Sequence, residues 1–422
     1  MPHAPSWYAA TAHPAPARPP LVGDVTTDVC IVGGGYTGLV TAIELADKGM
    51  SVTILEAESV GWGASGRNGG QLITGFNKGI SEIEGWVGKA DARRLWDLSE
   101  EAKAMLTDMI ARHGIDCDLK WGYLLAALKP RHLKSLTEHQ AELEGVGYGR
   151  TRMVGRDEIR SMVATDAYLG GLFDAGSGHL HPLNYALGLA VAAETLGVRI
   201  HEGSRVVRID TGAAPKAFTA TGSVSAKFLV LAGNAYLGDV CPPIRSRVMP
   251  AGTYIIGTER MEAARAQALI PSDIAVADVN FVLNYYRRSP DNRFLFGGGV
   301  SYSGFDRPDL KQSLRRTMLK YFPQLADLGV EYCWGGYVAI TMNRMPHLGR
   351  VSPTTYFAQG YSGHGLALTA IAGRVMAEAI AGQAGRFDLF ARVPHRAFPG
   401  PPGLKMPALV LGMLWYRLQD WL

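Results

Sequence analysis

The chain of 422 residues is poor in several things, and each scarcity removes a class of function. Only four cysteines occur, Cys30, Cys117, Cys241 and Cys333, with no CxxC spacing. That argues against a zinc site or a disulfide framework, and a reducing, cytoplasmic setting is the simplest expectation. No run of basic residues stands out, and the net charge is only +4. A nucleic-acid footprint is therefore not expected. The start has no basic-then-apolar signal peptide, and no apolar stretch is long enough to span a bilayer. Lysine is missing between Lys227 and Lys311.

Glycine is abundant, with 51 residues, and its placement is informative. The apolar run Val29–Val32 reads as a buried parallel strand that ends in Gly33-x-Gly35-x-x-Gly38 and passes into an amphipathic helix, Leu39–Lys48. A second strand, Val52–Leu55, delivers Glu56. Gly33 makes a tight turn, Gly35 admits close approach of a pyrophosphate, and Gly38 lets the helix pack on the strand. Helix N–H groups beginning around Tyr36 and Thr37 face the phosphates. Glu56 stands where a carboxylate accepts ribose hydroxyls, which also argues against a 2′-phosphate and NADP. Strand, glycines, helix, strand and acid in register define a nucleotide site.

A second glycine-rich stretch follows, Gly61-Trp62-Gly63-Ala64-Ser65-Gly66-Arg67-Asn68-Gly69-Gly70-Gln71. Such a stretch cannot pack a core, so it serves close backbone approach to a flat or phosphorylated group. Near the other end stands Gly360-Tyr361-Ser362-Gly363-His364-Gly365, leading into a small-residue helix. Its N-terminus is suited to stabilising negative charge on a bound ring.

With these motifs the chain resembles the D-amino-acid-oxidase superfamily of FAD-dependent amine oxidoreductases, over nearly its whole length. Closest is the branch that acts on gamma-glutamylated amines. The resemblance implies an α/β fold: a Rossmann-like FAD-binding domain plus a mixed, mainly antiparallel β-sheet substrate domain with flanking helices. It implies FAD as cofactor and oxidation of a primary amine, gamma-glutamylputrescine or a relative, to an imine that hydrolyses to aldehyde and ammonia. It also brings backbone near Val207 and Ala232-Gly233 to the adenosine half of FAD. Members with covalent flavin carry a histidine in the early loop or a cysteine shortly before the Thr-x-Asp segment. Here the loop has no histidine, and Gly336 holds the cysteine position, with Cys333 three residues away. Noncovalent FAD is expected. Relatives that react with oxygen use a roof lysine, which the gap after Lys227 removes. The electron acceptor is thus oxygen or a quinone or carrier protein.

The expected layout is an extended arm over 1–24, with Trp7 and Tyr8 tucked against the body. An FAD-binding domain follows over 25–80, 155–245 and 338–400, and a substrate domain over 81–154 and 246–337. The latter includes a long helix over 87–112 and antiparallel strands such as Phe281–Arg287. An apolar amphipathic tail occupies 401–422, docked on the protein itself or making peripheral membrane contact.

For substrate contacts, Tyr285 and Arg287 alternate onto one face of a roof strand and define an aromatic wall with one cation for a carboxylate. Tyr254, Arg344 and His364 are further candidates. Strand tyrosines also pack cores, and a histidine at a helix start also caps. Asn68 is the better flavin contact in the early loop, Arg67 being equally suited to an ion pair. His179 and His181 lack a third ligand, so no metal is expected. Other amine or amino-acid substrates, namely a D-amino acid, an N-methyl amino acid or a free polyamine, stay open at this point, as does a membrane-associated flavin electron-relay subunit.

Overall fold

The computed structural model describes residues 1–280, 282–301 and 309–399. The expected tail, Met406 to Leu422, and Phe281 lie outside the described residues. Two sheets organise the chain. In the first, the strand Gly23–Val32 pairs in parallel with Val52–Leu55 on one side and Gly222–Leu231 on the other. Arg199–His201 and Thr355–Gln359 extend this parallel set, and His347–Ser352 closes one edge antiparallel. The central residues Val29, Cys30 and Ile31 are fully buried, as a parallel strand covered on both faces requires.

One face is covered by the helices Tyr36–Ala46 and Gly365–Ile380. They approach so closely that a Cβ on Gly373 would stand 2.8 Å from Val40 and 2.9 Å from the Thr41 nitrogen. That proximity explains why the later helix is built of small residues.

The second sheet runs in the order Val330–Ile340, Met249–Thr258, Phe294–Ser301, Tyr285–Arg288, Ala275–Asp278, Lys120–Ala127, Gly170–His179 and Gln71–Leu72. Only the pairing of Ala275–Asp278 with Lys120–Ala127 is parallel, so the sheet is mixed and mainly antiparallel. Its far face packs on Leu310–Tyr321 around Tyr286, Phe294, Phe296 and Phe322.

Several expectations are corrected here. The strand Gly170–His179 belongs to the second sheet, so the segment assigned to the nucleotide domain over 155–245 is split near residue 180. The helix expected over 87–112 is present as Lys89–Arg112, and a separate helix, Ile80–Val87, precedes it across Gly88, which takes a φ of +81°. The strand expected to reach Arg287 is only Tyr285–Arg288. The arm is not wholly extended. Ser6 caps a one-turn helix, Trp7–Ala10, by accepting from the Ala9 N–H, and Trp7 and Tyr8 are buried. Among the described residues no helix is long and apolar enough to cross a membrane.

Candidate FAD and substrate site

One elongated cavity of about 770 Å³ lies between the two sheets. At one end stand Glu56, Glu58, Arg205 and Val206, at the middle Gly33, Gly35, Tyr36 and Thr37, and at the far end Tyr285, Arg344 and the Tyr361-to-Gly365 segment, Gly360 lying just outside the lining.

The first glycine motif has the geometry its spacing predicts. Gly33 has a φ of +113°, and a Cβ there would meet the Ala232 carbonyl oxygen at 2.9 Å. A Cβ on Gly38 would stand 2.1 Å from the Gly33 carbonyl oxygen, so helix and turn can touch only without a side chain. No side chain caps the helix at Gly35. Its first N–H, that of Tyr36, donates to Ser65 Oγ, and the Tyr36 hydroxyl donates to the Ser65 and Pro182 carbonyls. Glu56 is half-buried and accepts from the N–H groups of Gly34 (2.6 Å) and Glu58 (2.9 Å). Burial raises its pKa against those two donors.

The two later motifs meet the first. Thr37 Oγ1 and the Tyr361 hydroxyl lie 2.8 Å apart, joining residues far separated in sequence. Gly360 and Gly363 have φ of +73° and +94°, and Ser362 also stands left-handed at +52°. Ser362 Oγ donates to the Gly360 carbonyl and accepts from the Thr341 N–H, while Asn77 donates to the Ser362 carbonyl. His364 begins the helix without capping it. Its ring hydrogen-bonds the Gly75 backbone, and Nδ1 has no partner among the described residues. Burial lowers the ring to about 4, so it is neutral at pH 7.

Ala64, Ser65, Asn68, Gly69 and Gln71 line the cavity and Gly70 does not, and the Asn68 amide also holds its own loop. It donates to the Ala64 and Ser65 carbonyls, and its oxygen accepts from Gly70 N–H. That side chain thus lines the cavity, as a flavin contact requires, and also ties its own loop together. Arg67 lies 4.0 Å above the Trp62 ring and donates to the Trp62 and Gly335 carbonyls. No carboxylate pairs with it among the described residues. Gln71 reaches the Val276 carbonyl, and Ala232 and Gly233 line the wall. Val207 does not. Its side chain is 60% exposed, its N–H donates to Phe218, and Val206 faces the cavity instead.

Two roof assignments are also corrected. Tyr254 turns away from the cavity, because alternation along Met249–Thr258 gives that face to Ala251 and Thr253 and sends Tyr254 to the far-side cluster. Tyr285 does line the cavity and hydrogen-bonds Thr253. Arg287 shares its face yet lies beyond the cavity's end, where Trp7 and Tyr8 close over it. Its N–H groups donate to the carbonyls of Gly69, Leu180 and Arg288 and to the Tyr8 hydroxyl. It does not hold a substrate carboxylate. Arg344 does reach the cavity, from a left-handed backbone with φ +63°. His179 and His181 are architectural. The first bonds the Asp273 carbonyl, and the second caps Pro182–Thr195 by accepting from the Asn184 N–H. No metal-ligand cluster occurs among the described residues.

The cavity also gathers residues that no motif singles out: Thr74, Asn77, Tyr123, His139, Thr253 and Asp278. Asp278 accepts from the N–H groups of Asn280 and Asn284 and from the Asn284 amide, and burial raises it to about 6. The Asp-x-Asn spelling of that turn was the one local signal available for it.

These residues fit a dinucleotide with a flat ring. An added Cβ on Gly33, Gly35 or Gly38 would close the cradle, a half-buried acid stands at the ribose end, and a buried imidazole nitrogen lacks a partner at the ring end. The chain belongs to the FAD dependent oxidoreductase (DAO) family, which residues 28–379 match. It is an FAD-dependent oxidoreductase. It is 43% identical to the gamma-glutamylputrescine oxidoreductase of Escherichia coli K12, over 99% of this chain and 98% of that one. Similarity at 40% identity extends to a probable oxidoreductase, OrdL, of Haemophilus influenzae, over 99% and 97% of the two chains. The fold is shared with glycine oxidase from Bacillus cereus, at a TM-score of 0.74 and 20% identity over 88% of this chain and 99% of that structure.

Proposed function

We propose that the chain oxidises the primary amine of a gamma-glutamylated amine, gamma-glutamylputrescine foremost, to an imine that water converts to an aldehyde and ammonia. The similarity to the Escherichia coli enzyme over 99% of the chain carries this reading. Bound FAD supplies the acceptor for the hydride leaving the substrate carbon.

The residues present support the remaining tasks. Glu56 and the uncapped helix at Gly35 hold the ribose and pyrophosphate, and the uncapped N-terminus at Gly365 stabilises negative charge at the ring end. No cysteine lines the cavity among the described residues, which supports a noncovalent cofactor. Tyr285, Tyr123, Leu125 and Val300 line an apolar wall suited to a polymethylene chain. A primary alkylamine has a pKa of roughly 10, so the site must favour its scarce neutral form. Apolar walls and a neutral His364 favour it, because neither repays the desolvation of an ammonium. Asp278, raised to about 6 and so mostly ionised at pH 7, is a lining group that can take up the proton the ammonium releases.

Arg344 anchors the glutamyl carboxylate. A non-glycine residue held left-handed costs about 1 kcal/mol or more, and such strain accumulates at functional positions. The test is product identity. Turnover of gamma-glutamylputrescine should release ammonia and a trappable aldehyde in equal amounts. Aldehyde without ammonia, or no turnover, would contradict the reading.

A further inference from the structure

Arg287 is 2% exposed and is among the largest wholly buried side chains of the protein. A buried guanidinium ordinarily has a carboxylate partner. Among the described residues none lies within ion-pair distance of Arg287. The nearby charges pair elsewhere: Arg288 with Asp273 at 3.6 Å, and Lys120 with Asp118 at 3.2 Å. At contact distance the Arg287 charge meets only dipoles and rings, and Asp273 acts on it from farther off. Nε donates to the Gly69 carbonyl at 3.3 Å and Nη2 to the Leu180 carbonyl at 3.1 Å, with Trp7 and Tyr8 about 6 Å from the guanidinium carbon.

Its position relative to the cofactor cavity is fixed by one residue. Gly69 is both an acceptor of Arg287 and part of the cavity lining, and a Cβ on it would stand 2.7 Å from the Tyr285 ring. Gly70, next in the loop, would place a Cβ 3.3 Å from Nη2. A net positive charge is thus locked directly behind the loop that floors the ring end, in a region with little water to screen it.

We infer that Arg287 is a positioning residue that acts on the bound flavin through its uncompensated charge, raising the flavin's reduction potential, while its hydrogen bonds hold the Gly69–Gly70 loop in place. Two electrons and one proton arriving as hydride leave one negative charge on the ring system, and a buried cation nearby favours that state over the oxidised one. Trp7 and Tyr8 keep water from the guanidinium and so preserve the effect.

The test is the equilibrium of bound FAD with a redox dye in the whole holoprotein, at fixed pH. Arg287→Gln should lower the two-electron reduction equilibrium constant about tenfold, equivalent to ~30 mV. Arg287→Lys should stay within about threefold of the parent, because it keeps the charge. Asp273→Asn removes a carboxylate that acts on Arg287 as well as on Arg288 and Lys120, and should move the constant the other way, upward about twofold. Asparagine tolerates the left-handed backbone of position 273, so this variant remains informative if Arg287→Gln fails to retain FAD. Opposite signs for the two neutralising variants support the inference. It is overturned if Arg287→Gln leaves the constant unchanged, if Lys and Gln shift it equally, or if Asp273→Asn fails to raise it.

Discussion

Glu56 and Arg344 carry the two residue-level claims. The Glu56 carboxylate already accepts two backbone N–H groups, from Gly34 and Glu58, and still lines the cavity. Glu56→Gln keeps the shape but removes the charge and turns an amide N–H₂ towards one of those donors. FAD affinity should fall by about 1.5–3 kcal/mol, measured by titrating the apoprotein, and an unchanged affinity would remove Glu56 from the ribose site. Arg344→Met should cost a gamma-glutamylated substrate about 2–4 kcal/mol in kcat/KM while sparing a free diamine, which has no carboxylate to bind. Equal losses on both would make Arg344 architectural. The contrast with Arg287 shows where sequence reading stops. Alternation places Tyr285 and Arg287 on one face, and the structure agrees. What alternation does not show is that Trp7 and Tyr8, some 280 positions earlier, close that face just beyond Tyr285. Asn68 shows a different limit: that its amide also satisfies its own loop's backbone is not readable from the motif.

Among the elements, the parallel nucleotide strands were legible because burial on both faces leaves an uninterrupted apolar run, as in Val29–Val32 and Val52–Leu55. Gly170–His179 was not, since four of its residues are glycine and its pairing with Lys120–Ala127 comes from a sequence-distant partner. The glycines themselves separate into two kinds. Gly88 takes a φ of +81° with nothing within 4 Å of an added Cβ, so Gly88→Ala meets backbone strain alone. It should lower stability by about 1–2 kcal/mol and leave flavin content intact. Gly38 lies in the ordinary helical range, yet its Cβ would overlap the Gly33 carbonyl oxygen. Gly38→Ala should therefore yield protein with little bound flavin. Absorbance spectra and thermal melts of the two purified variants distinguish the cases. Equal flavin content would mean the turn can relax and that the close approach is not required.

On the scale of the whole molecule, buried neutral histidines set how the fold responds to acid. His179, His181 and His347 are lowered by burial to about 3, and His395 to about 4. Unfolded, each takes up its proton near 6.5, so below that pH the unfolded chain binds more protons than the folded one. Their contribution is complete above pH 6.5 and is lost progressively towards pH 3–4. Asp278, raised to about 6, opposes this between pH 4 and 6 together with Glu56, Glu100 and Asp273, which burial also raises. His364, lowered to about 4, adds to the rings. The melting temperature should fall steadily from pH 6.5 to 4. His395→Gln, which can still donate to the Pro346 carbonyl, should make that fall shallower. A melting temperature independent of pH over this range would show that the rings are not held neutral. Above these effects stands the central claim, that the two sheets clasp FAD so that an amine bearing a distant carboxylate can reduce it. Anaerobic mixing of the holoprotein with gamma-glutamylputrescine, putrescine, glycine and sarcosine, followed by flavin absorbance, tests it most directly. The account predicts full and rapid bleaching by gamma-glutamylputrescine and slow or no bleaching by the others. Faster reduction by putrescine or by either amino acid would contradict it.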